Sequence, residues 1–373
     1  MATKPMRIFI TGGHFTPAKA VMDEMPPSWQ VFYIGRKYAM EDDKALALEY
    51  QELNNLGNFP PKADQPWAGR YLNITTGRLQ RKFFVNVGQS IRAILKTPVG
   101  FIQSFWWLLK YRPDVVLSFG GYVALPVVIT AWVLAIPVIT HEQTQTTGLA
   151  NRIISHFVRK VLRGGILRKE VLAATIKDTN TIFITGGNQG AHVINLAVEE
   201  IVERLVKKLK VIHQMGDSSF KDFERTRKIK NFSKKSFAYL PVRFLSGEEQ
   251  ANAMAAAKII VSRAGANTLA EIAYFGKPSI LIPIPWASAA EQEKNAKVLA
   301  DLKMAEIIPQ EKLSGKTLLE AINKIEKNYQ TYSENAKKGK TLVHPAAAKK
   351  IVEEILSLIA RSRSDAAISR PAA

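Results

Sequence analysis

Short runs of apolar, mostly β-branched residues alternate along the chain with longer stretches in which apolar residues recur at helical spacing. The short runs have almost no polar positions, which is typical of parallel strands covered by helices on both faces. Alternation of this kind predicts an α/β fold with doubly wound parallel sheets. The clearest runs are RIFIT (7–11), VFYIG (31–35), DVVLSF (114–119), PVIT (137–140), TIFIT (181–185), KVIHQ (210–214), KIIVS (258–262) and SILIPIP (279–285).

The pattern predicts two similar domains. Glycine turns at Gly12 and Gly186 begin matching strand–turn–helix units in different halves of the chain, and residues 159–180 between them are less patterned. We therefore predict an amino-terminal domain over residues 1–168 and a carboxyl-terminal domain over residues 169–344. Residues 345–364 have a helical pattern, and residues 365–373 are expected to form a disordered tail. Ligands of such folds bind at the carboxyl ends of the strands, here in the cleft between the domains.

Residues 115–140 form a stretch without charged side chains that is long enough for a membrane span. Gly120, Gly121, Pro126 and Pro137 divide this stretch, and it fits better as strand, glycine turn, buried helix at about 126–135, and strand. The amino terminus has only a short apolar run before its glycines, too short for the core of a secretory signal. We expect a protein without a membrane span.

Charge narrows the classes of partner. The 373 residues include 52 Lys and Arg against 32 Asp and Glu, a formal net charge of +20, with 47% apolar residues. Nucleic acid, a membrane surface or a phosphorylated ligand suits such an excess, but no aromatic and basic platform or known motif indicates nucleic acid. The absence of cysteine excludes disulfides and thiolate metal sites.

Two glycine turns are candidates for phosphate binding. TGGH (11–14) and GGNQGA (186–191) each follow a strand and precede a helix, where backbone amides and the helix dipole can hold a diphosphate. The alternative is a tight turn that needs positive φ. Neither turn has the spaced dinucleotide fingerprint or a phosphate-loop lysine. His14 is either a proton relay or a satisfied polar residue of the turn.

Other polar groups stand beside strands. His141, Glu142 and Gln143 end one strand and either join neighbouring loops or contact a ligand; they lack the spacing of a zinc helix. No acidic pair marks a site for a divalent metal, so we predict none. Glu271 is either a ligand-binding carboxylate or, with Thr268, part of a capping box.

The segment 83–112 mixes large apolar side chains with basic ones, including Trp106, Trp107, Lys96 and Lys110. It is either a buried helix with basic ends, including Arg92 and Arg112, or a peripheral patch that binds anionic lipid.

Taken in order, several segments resemble the MurG family, the bacterial N-acetylglucosaminyltransferases that convert the first peptidoglycan lipid intermediate into the second. The resemblance covers about residues 7–355 and rests on GGH, RPDVVLSFGGYV, IPVITHEQTQTTGLANR, GGNQGAHVIN, HQMG, SRAGANTLAEIAYFGKPSILIPIPWA and AAEQEKNA. It implies a GT-B architecture, in which two Rossmann-like doubly wound domains face each other across a cleft, with the carboxyl-terminal helix packed back on the first domain. It also implies inverting transfer of GlcNAc from UDP-GlcNAc to the 4-hydroxyl of undecaprenyl-diphospho-MurNAc-pentapeptide, with no cofactor and no essential metal.

By the same resemblance, the carboxyl-terminal domain binds the donor. Glu271 matches the acid that binds the ribose hydroxyls, Leu245 the backbone contact to uracil, and Arg168 an arginine near the domain junction. If so, Glu271→Ala should weaken UDP binding tenfold or more with little loss of stability. The remaining donor positions are Gly187, Asn188, Gln189, Ala266, Glu291, Gln292 and Asn295.

The amino-terminal domain is implied to bind the acceptor. His14 is our first choice for the group that takes the 4-hydroxyl proton, and Glu142 is the second catalytic candidate. The other acceptor positions are Thr11, Gly12, Gly13, Tyr122, His141, Gln143 and Thr144. The chain departs from the family at Phe9 and Ile10, where two glycines are usual, at Thr144 and Asn188, and in the shortened segment that ends with GGIL before Arg168.

The resemblance places the protein at the cytoplasmic face of the plasma membrane, with an anionic membrane surface and other cell-wall synthesis proteins as partners. Two alternatives stay open at this point. One is another UDP-sugar enzyme of the same architecture, an epimerase or a transferase with a different acceptor. The other is a non-catalytic membrane-bound homologue, suggested by the altered first loop.

Overall fold

A computed structural model describes residues 5–38, 46–55, 71–77, 87–143, 148–177, 179–217, 220–228, 238–287 and 290–368. Contacts divide the chain into two compact units. Unit 1 comprises the described residues up to 143, residues 148–164 and those from 346 onward, and unit 2 comprises those between 165 and 345. The division falls between Gly164 and Gly165, four residues before the boundary expected from the sequence, so Arg168 belongs to unit 2.

Unit 1 contains a parallel sheet of six strands in the order β3-β2-β1-β4-β5-β6. The strands are β1 (Arg7–Thr11), β2 (Gln30–Gly35), β3 (Tyr71–Asn73), β4 (Val115–Ser118), β5 (Val138–Glu142) and β6 (Lys160–Arg163). The helices that connect them are α1 (Phe15–Met22), α2 (Leu48–Asn55), α3 (Val87–Tyr111), α4 (Ala124–Val133) and α5 (Leu149–Ile154).

Unit 2 repeats this topology, with a six-stranded parallel sheet in the order β12-β11-β10-β7-β8-β9. The strands are β7 (Thr181–Thr185), β8 (Lys210–Gln214), β9 (Tyr239–Val242), β10 (Ala257–Ser262), β11 (Ser279–Leu281) and β12 (Ala305–Ile307). The helices are α6 (Lys169–Ala173), α7 (His192–Glu199), α8 (Val202–Leu205), α9 (Asp222–Lys228), α10 (Gly247–Ala256), α11 (Ala266–Phe275), α12 (Glu291–Asp301), α13 (Gly315–Lys327) and α14 (Tyr329–Gly339). When the strands of each sheet are numbered from one in chain order, both sheets have the order 3-2-1-4-5-6 of dinucleotide-binding folds.

The uncharged stretch folds as its glycines and prolines indicate. Strand β4 is fully buried, and α4 begins at Ala124, two residues before the predicted start, and ends at Val133. Pro126 therefore occupies the first turn of α4, where a missing N–H costs no hydrogen bond. No helix in the described ranges is long and apolar enough to cross a membrane.

The last helix, α15 (Ala347–Ile368), belongs to unit 1, where it contacts α1, and Glu354 pairs with Lys160 at 2.6 Å. This helix extends four residues into the expected tail. The prediction of disorder is thus wrong for residues 365–368, because the helical pattern continues past Arg363, and residues 369–373 lie outside the described ranges.

Candidate functional site

In unit 2 the candidate residues collect at the carboxyl ends of neighbouring strands. Thr185 at the end of β7 pairs with Ser262 at the end of β10, and Ser262 pairs with Leu281 of β11. The loops that follow these strands are therefore adjacent at one edge of the sheet. The loop after β7 carries Gly187, Asn188 and Gln189, and the helices that follow the other two loops carry Ala266, Glu271, Glu291, Gln292 and Asn295.

The turn after β7 is held by two internal hydrogen bonds, from Gly187 N to Thr185 Oγ1 and from Gly190 N to the carbonyl of Gly187, both at 3.0 Å. Gly187 and Gly190 have φ of 81° and 76°, and Asn188 and Gln189 are exposed. Helix α7 follows at once, and its N-cap residue Ala191 makes no side-chain cap hydrogen bond. Ile194 N already donates to the carbonyl of Ala191 at 2.9 Å. The amides of His192 and Val193 before it can therefore serve an anion, with the positive end of the helix dipole behind them.

Close backbone packing fixes this turn. A Cβ on Gly190 would lie 2.0 Å from the carbonyl oxygen of Met215, so only glycine fits there. Asn195 donates to the same carbonyl at 3.1 Å and to Asp222 at 2.8 Å, and the ring of His192 lies 2.7 Å from Asp222. This buried network joins the start of α7 to the loop after β8.

Glu271 is 4% exposed, and its Oε1 accepts a hydrogen bond from Arg168 Nε at 2.8 Å. Helix α11 begins at Ala266 after Gly265, so Thr268 lies inside the helix and the capping-box interpretation is wrong. Burial raises the pKa of Glu271, and the charge of Arg168 opposes that rise. A buried carboxylate with one cationic partner keeps lone pairs for further donors, such as sugar hydroxyls.

Gln250 completes this cluster, since Arg168 Nη2 donates to its Oε1 at 3.4 Å. Arg168 is the N-cap residue of α6 and lies 103 positions before Glu271 in the chain. The structure thus places Arg168 on the candidate ribose carboxylate. Its expected phosphate contact stays a prediction.

The loop after β11 leads to the candidate sugar-binding face of α12. Gln292 Oε1 accepts a hydrogen bond from Ile284 N at 3.0 Å, which fixes the loop to the first turn of the helix. Asn295 is buried, and its Nδ2 has no hydrogen-bond partner among the described residues. Glu291 begins α12 and is partly exposed, as is Gln292. Unsatisfied buried donors are uncommon in native proteins, so Asn295 suits a ligand acceptor.

Leu245 and Ala266 are positioned by the helices that they precede or begin. Leu245 is partly buried against the core of unit 2, directly before Ser246, which caps α10 with a capping box. Its backbone therefore follows the carboxyl end of β9 on a fixed loop. Ala266 is the first residue of α11.

Sequence analysis missed Arg263 in this region. Its Nη1 donates to the carbonyl of Ile282 at 3.1 Å, which joins the loops after β10 and β11, and burial lowers its pKa to about 10. It remains charged at neutral pH. The sequence signal that could have identified Arg263 is its position directly after a buried strand, at the start of the segment RAGANTLAE.

In unit 1 the turn after β1 brings together the first acceptor candidates. Gly12 has φ of 141°, and a Cβ there would lie 2.9 Å from the backbone of Phe119, so the turn needs glycine. Gly13 N donates to the carbonyl of Gly120 at 3.2 Å. Thr11 is fully buried, and its hydroxyl has no partner among the described residues.

His14 is exposed at the N-cap of α1, and its Nδ1 lies 3.1 Å from the carbonyl oxygen of Phe119. Because a carbonyl only accepts hydrogen bonds, Nδ1 must be the donor. In the neutral ring, Nε2 then carries the lone pair. This tautomer is the one that a general base requires.

The end of β5 carries His141 and Glu142, both buried. Burial lowers the pKa of His141 to about 4, so its ring is neutral at neutral pH. Asn151, which sequence analysis did not single out, donates to Glu142 at 2.5 Å and accepts from Gly121 N at 2.8 Å. Gln143 follows the strand and is partly buried, whereas Thr144 lies outside the described residues.

Tyr122 follows the glycine turn after β4 and contacts Arg36, another residue that sequence analysis missed. Arg36 Nη1 donates to the hydroxyl of Tyr122, and the guanidinium carbon lies 5.0 Å from the centre of its ring. Arg36 directly follows β2. Because ligands of such folds bind at the carboxyl ends of strands, this position was the sequence signal that could have identified Arg36.

No group of three or more histidine, aspartate or glutamate side chains is arranged to hold a metal ion within the described ranges. This finding concerns the arrangement of the side chains. Metal dependence is a matter for experiment.

Comparisons with known proteins agree with this arrangement. A model of the glycosyltransferase family 28 amino-terminal domain matches residues 11–163, and one of the family 28 carboxyl-terminal domain matches residues 181–354. A relative from Desulfitobacterium hafniense is 30% identical over 94% of this chain and 99% of its own length. A Bacillus subtilis relative is 29% identical over 93% of this chain and 98% of its own length. Both are named UDP-N-acetylglucosamine–N-acetylmuramyl-(pentapeptide) pyrophosphoryl-undecaprenol N-acetylglucosamine transferase.

Solved structures show the same fold. The crystal structure of Acinetobacter baumannii MurG matches with a TM-score of 0.70 at 23% identity, over 95% of this chain and 100% of that one. UDP-GlcNAc 2-epimerase from Neisseria meningitidis, bound to UDP-GlcNAc, matches with a TM-score of 0.59 at 13% identity, over 95% of this chain and 100% of that one.

Two parallel sheets of Rossmann-like order, with family 28 domains matched to both halves, define a glycosyltransferase of the GT-B class. The full-length relatives narrow the class further. The chain belongs to the MurG family of N-acetylglucosaminyltransferases.

Proposed function

We propose that the protein transfers GlcNAc from UDP-GlcNAc to the 4-hydroxyl of undecaprenyl-diphospho-MurNAc-pentapeptide. The observation that carries the proposal is the 30% identity, over 94% of this chain, to a relative named for this transfer. In the reaction the 4-hydroxyl oxygen forms a bond to the anomeric carbon from the face opposite UDP. The bond from that carbon to the phosphate oxygen breaks, UDP leaves with its electron pair, and the configuration inverts.

Unit 2 binds the donor in this proposal. Glu271 accepts hydrogen bonds from the ribose hydroxyls, supported by its buried position and its single cationic partner Arg168. Backbone groups at Leu245 bind uracil. Glu291, Gln292 and Asn295 bind the GlcNAc hydroxyls, and the unpartnered Nδ2 of Asn295 supports this role.

The turn after β7 stabilises the leaving group. Negative charge grows on the UDP phosphates as the sugar departs, and amides held in advance at Asn188, Gln189 and the start of α7 stabilise such charge. We propose that this electrostatic stabilisation makes the reaction independent of metal and cofactor. The absence of a side-chain cap hydrogen bond at Ala191 supports this assignment.

Unit 1 binds the acceptor and removes its proton. His14 Nε2 takes the proton of the 4-hydroxyl, because the carbonyl of Phe119 fixes the opposite nitrogen as the donor. Thr11, Gly12 and Gly13 surround this base. Glu142, whose carboxylate is held by a hydrogen bond from Asn151, orients the acceptor substrate by accepting a hydrogen bond from it.

Helix α3 supports a peripheral membrane location. Its Leu108 side is buried, whereas five large apolar side chains spaced along another face are 42–70% exposed: Leu95, Val99, Ile102, Trp106 and Leu109. Lys110 lies 4.5 Å above the Trp106 ring. Apolar side chains among basic ones suit the boundary of an anionic bilayer. We therefore propose binding at the cytoplasmic face of the plasma membrane, with other cell-wall synthesis proteins nearby.

Incubation with radiolabelled UDP-GlcNAc and lipid-linked muramyl-pentapeptide tests the function. We expect label in the lipid fraction, with and without a chelator, and no conversion of UDP-GlcNAc to its 2-epimer. Absence of transfer by the purified, folded protein would indicate a non-catalytic homologue. Transfer to a soluble sugar in preference to the lipid acceptor would indicate a different transferase.

A further inference from the structure

Arg36 lies at the same edge of the first sheet as the acceptor turn. It directly follows β2, which pairs with β1 so that Ile34 stands opposite Thr11. The hydroxyl of Tyr33 donates to the carbonyl of Gly12 at 2.9 Å, which ties the end of β2 to that turn. The backbone of Arg36 is held too, since its carbonyl accepts from Tyr71 at 2.5 Å.

The guanidinium of Arg36 lies against an aromatic ring and donates one side-chain hydrogen bond among the described residues. One donor reaches the hydroxyl of Tyr122, whose ring centre lies 5.0 Å from the guanidinium carbon. The Nε of Arg36 is buried without a hydrogen-bond partner among the described residues. An arginine has five N–H donors, so this side chain has capacity for a further acceptor.

The charge of Arg36 is not cancelled by a direct ion pair within the described ranges. The buried Glu49 feels this charge: burial raises the pKa of Glu49, and the charge of Arg36 opposes that rise. The buried ring of His141 is neutral and supplies no cation at this edge. A planar cation beside a glycine turn suits bidentate binding of phosphate oxygens.

We propose that Arg36 binds a phosphate of the acceptor diphosphate, with the ring of Tyr122 holding the guanidinium in place. The identity of the ligand rests on the proposed function, whereas the site itself rests on the contacts above. In this arrangement Arg36 binds one phosphate, and the turn that contains Gly12 and Gly13 lies beside the other. Arg36 thereby sets affinity for the acceptor and leaves the donor untouched.

The test compares Arg36→Gln and Arg36→Lys with Arg159→Gln, a matched loss of charge in the same unit. Arg159 is exposed at the opposite edge of the sheet, where its backbone N–H bonds to Val138 at the start of β5. With a short-chain acceptor, Arg36→Gln should raise the acceptor KM about tenfold and leave the KM for UDP-GlcNAc within about twofold. The acceptor KM of Arg36→Lys should lie between those of wild type and Arg36→Gln, and the Arg159→Gln control should match wild type in both KM values.

Calorimetric titration with a short-chain prenyl diphosphate that lacks sugar measures the site without catalysis. The Arg36→Gln variant should bind it about tenfold more weakly than wild type and the control. Unchanged affinity for this probe, with an intact thermal transition, would overturn the proposal. So would equal increases in both KM values with a lowered Tm, which mark a structural role. If wild type transfers no GlcNAc, the proposed function fails, and the titration still decides whether Arg36 binds a diphosphate.

Discussion

Replacement of Glu271 by glutamine separates two tasks of this carboxylate, the pairing with Arg168 and the proposed binding of ribose. Glutamine has nearly the same shape as glutamate and keeps one oxygen that can accept a hydrogen bond from Arg168 Nε. In the unchanged protein this nitrogen lies 2.8 Å from Glu271 Oε1. The substitution removes the charge and replaces the second carboxylate oxygen with an NH2 group, which donates hydrogen bonds and does not accept them. Alanine removes the oxygen as well and leaves Arg168 without its carboxylate partner.

Magnitudes distinguish the two substitutions. Loss of one partner of a fully buried pair costs about 3–5 kcal/mol, but the side chain of Arg168 is 19% exposed, so water recovers part of this and we expect about 2–3 kcal/mol for Glu271→Ala. The structure thus corrects the expectation of little stability loss for that variant. Since burial raises the pKa of Glu271, its charge is costly to the fold, and Glu271→Gln should change stability by under about 1 kcal/mol.

UDP affinity should nevertheless fall in the glutamine variant. A hydrogen bond to a charged group contributes about 1.5–3 kcal/mol and a neutral one about 0.5–1.5. The difference of about 1–1.5 kcal/mol corresponds to roughly tenfold weaker binding. Calorimetric titration with UDP and urea unfolding measure the two quantities, with Glu320→Gln on the exposed surface of α13 as the control. Wild-type UDP affinity in Glu271→Gln would refute a ribose contact and leave only the pairing.

Three further predictions concern the two units. Burial lowers the pKa of His213 to about 3, so this residue binds a proton in the unfolded state but not in the folded state below pH 6.5. It should therefore contribute up to about 1.4 kcal/mol per pH unit to the fall in stability towards pH 4, measured by urea unfolding. In His213→Gln the dependence of stability on pH should be less steep. An unchanged dependence would contradict a lowered pKa at His213. Asn151→Ala should lower turnover of the acceptor at least tenfold, because Glu142 loses the hydrogen bond from Asn151, while calorimetric UDP affinity stays constant. Gly190→Ala should destabilise unit 2 by over about 2 kcal/mol in thermal unfolding, since its Cβ meets the carbonyl of Met215 at 2.0 Å; a wild-type Tm would count against the tight packing.

Sequence periodicity was sufficient for the fold because buried parallel strands and glycine turns leave local signals. The strands RIFIT and TIFIT begin and end as predicted, and both glycine turns precede a helix. Even the uncharged stretch was divided correctly. Its helix began two residues early because proline is favoured inside the first turn, a shift that composition alone does not fix.

Pairings between distant residues were not readable in this way. Glu271 meets Arg168 across 103 positions, and that contact, together with the early start of α11, excludes the capping box that the local spacing suggested. Asn151 and Arg36 escaped notice because each is defined by tertiary partners, Glu142 and Tyr122. The segment before Trp106 allowed a buried or an exposed helix, and only packing shows that α3 has one face of each kind.

A crystal structure of the complex with UDP-GlcNAc tests the central claim most directly, that the nucleotide sugar binds at the carboxyl edge of the second sheet. The account predicts uracil at the backbone of Leu245, ribose hydroxyls on Glu271, and phosphates at the amides of Asn188 and Gln189. The GlcNAc ring should contact Gln292 and Asn295. Density for the nucleotide at any other edge, or an empty edge at millimolar ligand, would contradict it.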